Sequence, residues 1–180
     1  MTGESSDVQG DIPGFEAVVL PHLDAAFNVA RWLTRDDQEA QEIVQEAFVR
    51  ALRFFAGYRG GDGKAWLLAI VRNTFFSRKR GGNPRDTMTE FDEEVHGVDR
   101  AEPGPEAALL IAEDARTVAR ALEELPVEFR EVLVLREIEG LSYKEIAEVT
   151  GLPIGTVMSR LARARRRMQV QLTGRQRKED

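Results

Sequence analysis

The sequence predicts an all-α protein made of two small helical domains joined by a flexible acidic linker. Three observations carry that expectation. Apolar residues recur at helical spacing along most of the 180 residues, and nowhere does strict alternation persist beside Val, Ile and Thr to signal a strand. Residues 81–104 are rich in Gly, Pro, Asp and Glu, so they bury too little apolar surface to offset their chain entropy. Residues 125–168 have the layout of a helix-turn-helix whose second helix is strongly basic.

The periodicity predicts helices over residues 15–33, 37–55, 64–80, 105–124, 127–139, 142–150 and 154–172. In the second of these, Ile43, Val44, Ala47, Phe48, Ala51, Leu52 and Phe55 define a broad buried face. Across from it lie Glu42, Gln45, Glu46, Val49 and Arg53, and a valine among acids and amides suits a partner surface as well as a solvated one. The third helix buries Leu67, Ile70, Val71 and Thr74, leaving Trp66, Ala69, Asn73, Phe76, Ser77 and Arg80 on its other side. Two aromatics, an amide and a base are the composition that grips unstacked bases, and core packing of Trp66 and Phe76 is the alternative. Between these helices runs Gly57-Tyr58-Arg59-Gly60-Gly61-Asp62-Gly63, which lacks the preceding strand and the Gly-Lys-Ser/Thr ending of a phosphate-binding P-loop.

Local chemistry marks the C-terminal half. Pro126 stands where a missing N–H costs nothing, and the apolar helix after it (Phe129, Val132, Leu133, Leu135, Ile138) stops at Gly140. Ser142 with Glu145 forms a capping box, Ile146, Ala147 and Val149 face inward, and Gly151 with Pro153 makes the turn. On the last helix, Val157, Leu161, Ala164, Met168 and Leu172 fall within about 80° of one another as the core stripe. Thr156, Ser159, Arg160, Arg163, Arg166 and Arg167 occupy the opposite side, with Arg165 on a flank. No acid interrupts residues 160–178, whereas a merely solvated helix mixes signs. This is a DNA-facing surface.

Composition bounds the rest. The net charge of −6 is unevenly spread: residues 81–125 hold 12 acids and 4 bases, whereas residues 126–180 hold 8 acids and 11 bases. A second basic patch is Arg78-Lys79-Arg80. There is no cysteine, hence no disulfide or thiolate metal site, and a reducing cytoplasm fits. No apolar run is long enough to span a membrane, and the polar start is unlike a targeting peptide.

Three blocks together resemble the sigma-70 family, in its two-domain extracytoplasmic-function branch, over roughly residues 23–172. Glu42-Ile43-Val44-Gln45-Glu46-Ala47-Phe48 resembles the part that seats on the polymerase clamp. Tyr58-Arg59-Gly60, Trp66-Leu67 and Asn73 resemble the part that melts and reads the −10 element. Leu125-Pro126, Gly140-Leu141-Ser142-Tyr143-Lys144-Glu145-Ile146-Ala147 and Gly155-Thr156-Val157-Met158-Ser159-Arg160-Leu161 resemble the −35-reading domain. The resemblance implies an alternative sigma factor, not an enzyme, without cofactor or metal. Its domains would be region 2 (12–80), an acidic linker (81–104) and region 4 (105–174).

Its implied partners are promoter DNA, core RNA polymerase (β′ clamp helices and β flap) and an anti-sigma factor, without membrane insertion. Glu42, Gln45, Glu46, Val49 and Arg53 would bind polymerase. Tyr58, Arg59, Trp66, Asn73, Phe76, Arg78 and Arg80 would handle the −10 element, Tyr58 and Asn73 lining a pocket for a flipped base. Thr156, Ser159, Arg160, Arg163, Arg166 and Arg167 would read the −35 element. The chain departs from the family pattern at Glu42 and Ser77, where aspartate is usual, and at the bulky Phe75-Phe76 pair. These bear on −10 preference.

Two other readings require features that are missing here. A helix-turn-helix response regulator needs a receiver with parallel strands ending in aspartate, and the first 100 residues offer none. A di-metal site at Glu39, Glu42 and Glu46 needs a Glu-x-x-His partner, which His22 and His96 are not placed to supply.

Overall fold

A computed structural model describes residues 12–81 and 105–179. The expected linker therefore lies outside the described residues, apart from Gly81. Eight α-helices make up the described chain, and no strand occurs among the described residues. The helix expected over 15–33 is two helices, α1 (Ile12–Val19) and α2 (Leu23–Thr34), because Pro21 lies between them in a short 3₁₀ turn. After them come α3 (Asp37–Phe54) and α4 (Gly63–Lys79). Asp36 caps α3 by accepting from the Glu39 N–H at 2.7 Å, and Asp62 caps α4 by accepting from Lys64 and Ala65.

The second half holds α5 (Pro105–Glu123), α6 (Val127–Leu133), α7 (Tyr143–Thr150) and α8 (Ile154–Glu179). The helix expected over 127–139 changes character midway, with Val134–Ile138 widening into a π turn. Both arms of the expected capping box at Ser142 and Glu145 are present, and Gly151 ends α7 with φ 69°.

Helix α4 lies at the centre. It packs against α2 and α3 on one side and against α7 of the other half on another, while α2 reaches α6. One apolar cluster accordingly runs through both halves, from Phe15 and Leu67 to Ile146 and Leu161. This docking answers a physical need, since each half alone is too small to bury much of its surface.

Candidate functional site

The central position of α4 changes what its far side can offer. Nine of its residues are buried, so little of an amphipathic face remains. Trp66, expected on the open side, is 3% exposed, and Ser77 is buried too. Trp66 packs beside Tyr58 with ring centroids 5.0 Å apart and against Phe55 at 6.2 Å. Its indole face is therefore spent on the core, and it offers no surface to a base here. What stays partly open is a narrow strip of Ala69, Asn73 and Phe76 ending at exposed Arg80. The Arg72 guanidinium covers the Phe76 ring at 4.5 Å.

Tyr58 and Arg59 sit on the loop before α4. Gly60 and Gly61 hold φ of 93° and 94°, a region other residues resist, and the Tyr58 hydroxyl donates to the Gly61 carbonyl at 2.8 Å. That bond and the stacking of Tyr58 on Phe55, at 5.6 Å, fix the half-buried ring at the edge of the aromatic core. Arg59 is exposed.

Helix α3 presents its outer face as expected, with one addition. Val49 is 49% exposed, and Leu52, expected in the core, is 47% exposed beside it. The wheel gives the reason: Leu52 lies about 135° from the centre of the stripe formed by Ala40, Ile43, Ala47 and Ala51, nearer to Gln45 and Val49 than to Ala47. Gln45 and Arg53 are also exposed. The acids Glu42 and Glu46 turn toward α4 and hold Arg78, Nη1 3.1 Å from Glu42 and Nε 3.0 Å from Glu46. The structure thus brings the expected polymerase face and a basic patch together. These pairs are surface contacts worth at most about 1 kcal/mol each.

On α8, Val157, Leu161 and Ala164 are buried, while Ser159, Arg163, Arg166 and Arg167 are exposed and Thr156 and Arg160 are half-buried. Arg167 lies 4.7 Å over the Phe129 ring, and Arg165 is held at 2.7 Å by Glu137. Behind this face, Val118, Leu122, Leu133, Ile138, Met168 and Leu172 line an apolar groove of about 460 Å³.

Sequence reasoning missed the charges between the halves. Glu131 is 2% exposed, and Arg72 of α4 donates to both of its carboxylate oxygens. Burial pushes the Glu131 carboxyl above its usual range, against the opposing pull of Arg72. Arg130, also buried, donates to the carbonyls of Leu125 (2.7 Å), Glu123 (3.0 Å) and Leu33 (3.3 Å), putting a cation on two helix ends. The Glu139 side chain, 7% exposed, accepts from Asn28 at 2.6 Å and pairs with Lys64 at 3.1 Å. One signal was available: Arg130 and Glu131 interrupt an apolar run, where charges need partners.

No group of three or more metal-binding side chains and no membrane-spanning helix occurs among the described residues. Two family descriptions match the chain: "Sigma-70 region 2" over residues 18–84 and "Sigma-70, region 4" over residues 115–168. The RNA polymerase sigma-H factor of Pseudomonas aeruginosa is 38% identical over 165 residues, covering 87% of this chain and 85% of that protein. The ECF RNA polymerase sigma-E factor of Escherichia coli K12 is 33% identical with the same two coverages. Among solved structures, the sigma factor RpoE of Bartonella quintana, in complex with the anti-sigma factor NepR, aligns with TM-score 0.66 and 32% identity. That alignment covers 89% of this chain and 97% of RpoE.

Proposed function

Because the chain belongs to the sigma-70 family of RNA polymerase sigma factors, in its extracytoplasmic-function subfamily, we propose that its two halves divide the work of an alternative sigma factor. It binds core RNA polymerase and directs initiation at a particular set of promoters. Residues 12–80 act as region 2 and residues 105–174 as region 4, with 81–104 as linker. The chain supplies positioning, and phosphodiester synthesis belongs to the polymerase.

The observation that carries the reading is the outer face of α3. Gln45, Val49, Leu52 and Arg53 form an exposed, partly apolar stripe, and Glu42 and Glu46 border it beside Arg78. That stripe meets the β′ clamp helices. Tyr58 and Asn73 receive the flipped −10 base, Phe76 borders them, and Arg59, Arg78 and Arg80 hold nearby phosphates. Trp66 supports Tyr58 from within. Thr156, Ser159, Arg160 and Arg163 approach −35 bases from the N-terminal part of α8, with Arg166 and Arg167 on the backbone. The apolar groove between α5 and α8 takes the β flap, and an anti-sigma factor competes for these surfaces.

The test is retention of core polymerase by the immobilised chain. Gln45→Ala with Val49→Asp should abolish retention while circular dichroism stays that of the parent. Unchanged retention would remove α3 as the polymerase surface.

A further inference from the structure

The open face of α8 differs from the one its charges suggest. In its first turns Gly155, Met158, Ser159, Ala162 and Arg163 are all exposed, and exposed Arg166 follows them. They stand at i, i+3, i+4, i+7, i+8 and i+11, the spacing of a single helical face. Thr156 and Arg160 lie at its edge, half-buried, and the charge of Arg160 favours that of buried Glu131. Met158, 52% exposed, is the one large apolar side chain among the six.

The surroundings of Met158 fit it for contact outside the chain. Arg165, two turns beyond it on the same row, is drawn back to Glu137 at 2.7 Å, which takes that charge away from this edge of the face. At Gly155 an added Cβ would meet nothing within 4 Å, so packing among the described residues does not call for a glycine there. Gly155 and Ala162 keep the face low on either side of Met158 and Ser159, which lets the helix come close to a partner. The same face carries the Ser159 hydroxyl and the cations Arg163 and Arg166, so the partner is anionic yet offers an apolar knob. In duplex DNA that knob is the C5-methyl of thymine, displayed in the major groove.

We propose that Met158 determines specificity at the −35 element by packing its side chain on the C5-methyl of one thymine, while Ser159 and Arg163 meet polar base edges around it. This rests on the reading of α8 as the −35 helix. It adds a residue chosen for apolar contact to a set assigned by hydrogen bonding and charge. Methionine suits the task, because its unbranched, rotatable chain can follow the methyl while α8 keeps its seat on the DNA backbone. The methyl can be removed with nothing else changed, since uracil pairs as thymine does and lacks only that group.

In the test, the full-length chain, bound to core polymerase, is used to enrich a duplex library randomised across both promoter elements. The most enriched sequence is remade with uracil for each −35 thymine in turn, on either strand. At one position the parent should bind the uracil duplex about fourfold more weakly, the worth of one buried methyl. Met158→Ala should bind the thymine duplex more weakly to the same extent and no longer tell thymine from uracil at that position. Met158→Leu should keep the discrimination, and so should Arg163→Ala, whose losses fall elsewhere in the motif. The proposal is overturned if the parent tolerates uracil at every position or if the −35 motif holds no thymine. It is also overturned if Met158→Ala responds to the methyl as the parent does, the result expected if Met158 serves a protein partner instead. Loss of helicity in both Met158 variants overturns it too, since the side chain would then be structural support. A parent that enriches no −35 motif defeats the reading of α8 itself, whereas a motif that is enriched but blind to the methyl defeats this proposal alone.

Discussion

Glu131 shows how one residue is set by opposing terms. Burial disfavours its charge, Arg72 and Arg160 favour it, and burial is the largest. Removing Arg72 leaves that acid with its main counter-ion gone. Arg72→Ala should therefore cost about 3–5 kcal/mol in urea unfolding, whereas the near-isosteric Glu131→Gln should cost far less. The sign with pH follows from a folded carboxyl raised above its unfolded value. Its stabilisation is fully present below the unfolded value and is lost as pH rises through the folded one. Urea melts across that range should show the parent losing stability relative to Glu131→Gln as pH increases. A relative gain would mean that Arg72, not burial, dominates. At the open strip of α4, Asn73→Ala should weaken binding to DNA pre-melted at −10 and leave −35 duplex binding intact.

Among the elements, the helix caps, the proline and glycine stops and the core stripe of α8 were legible, because each depends on residues within a few positions of one another. The break at Pro21 was visible in the sequence yet overridden by the periodicity on either side of it. The π turn at Val134–Ile138 was not legible, since nothing in Val-Leu-Arg-Glu-Ile disfavours an ordinary helix. It matters because it precedes Glu139 at the contact between halves and leaves Ile138 on the apolar groove. For α8, Arg163→Ala should relax preference at individual −35 bases by about 1–3 kcal/mol. Arg166→Ala should instead weaken binding evenly and lower the salt slope by roughly one unit. A base-substitution panel at several salt concentrations separates the two. Even loss for Arg163→Ala would move specificity to DNA shape.

For the whole molecule, the division into two helical halves could be read from composition, but their packing together could not. Helix α4 illustrates why. A wheel reveals the strongest apolar side of a helix, yet α4 is covered by both halves, so Trp66 and Ser77 looked open and are not. Glu131, Arg130 and Glu139 were passed over for the same reason, because their partners are more than fifty residues away or in another element. The buried stripes of α3 and α8 were the most readable, because each of these helices keeps a solvent side, although Leu52 came out exposed and Arg160 half-buried.

Promoter preference is what this chain confers on core polymerase in the proposed function. Core enzyme reconstituted with the purified chain should transcribe a promoter library randomised at both elements, and the 5′ ends should be mapped. The expected result is transcripts sharing a −35 and a −10 motif at fixed separation, with the −10 motif weakened by Asn73→Ala and the −35 motif by Arg163→Ala. Transcripts no different from those of core enzyme alone would contradict it.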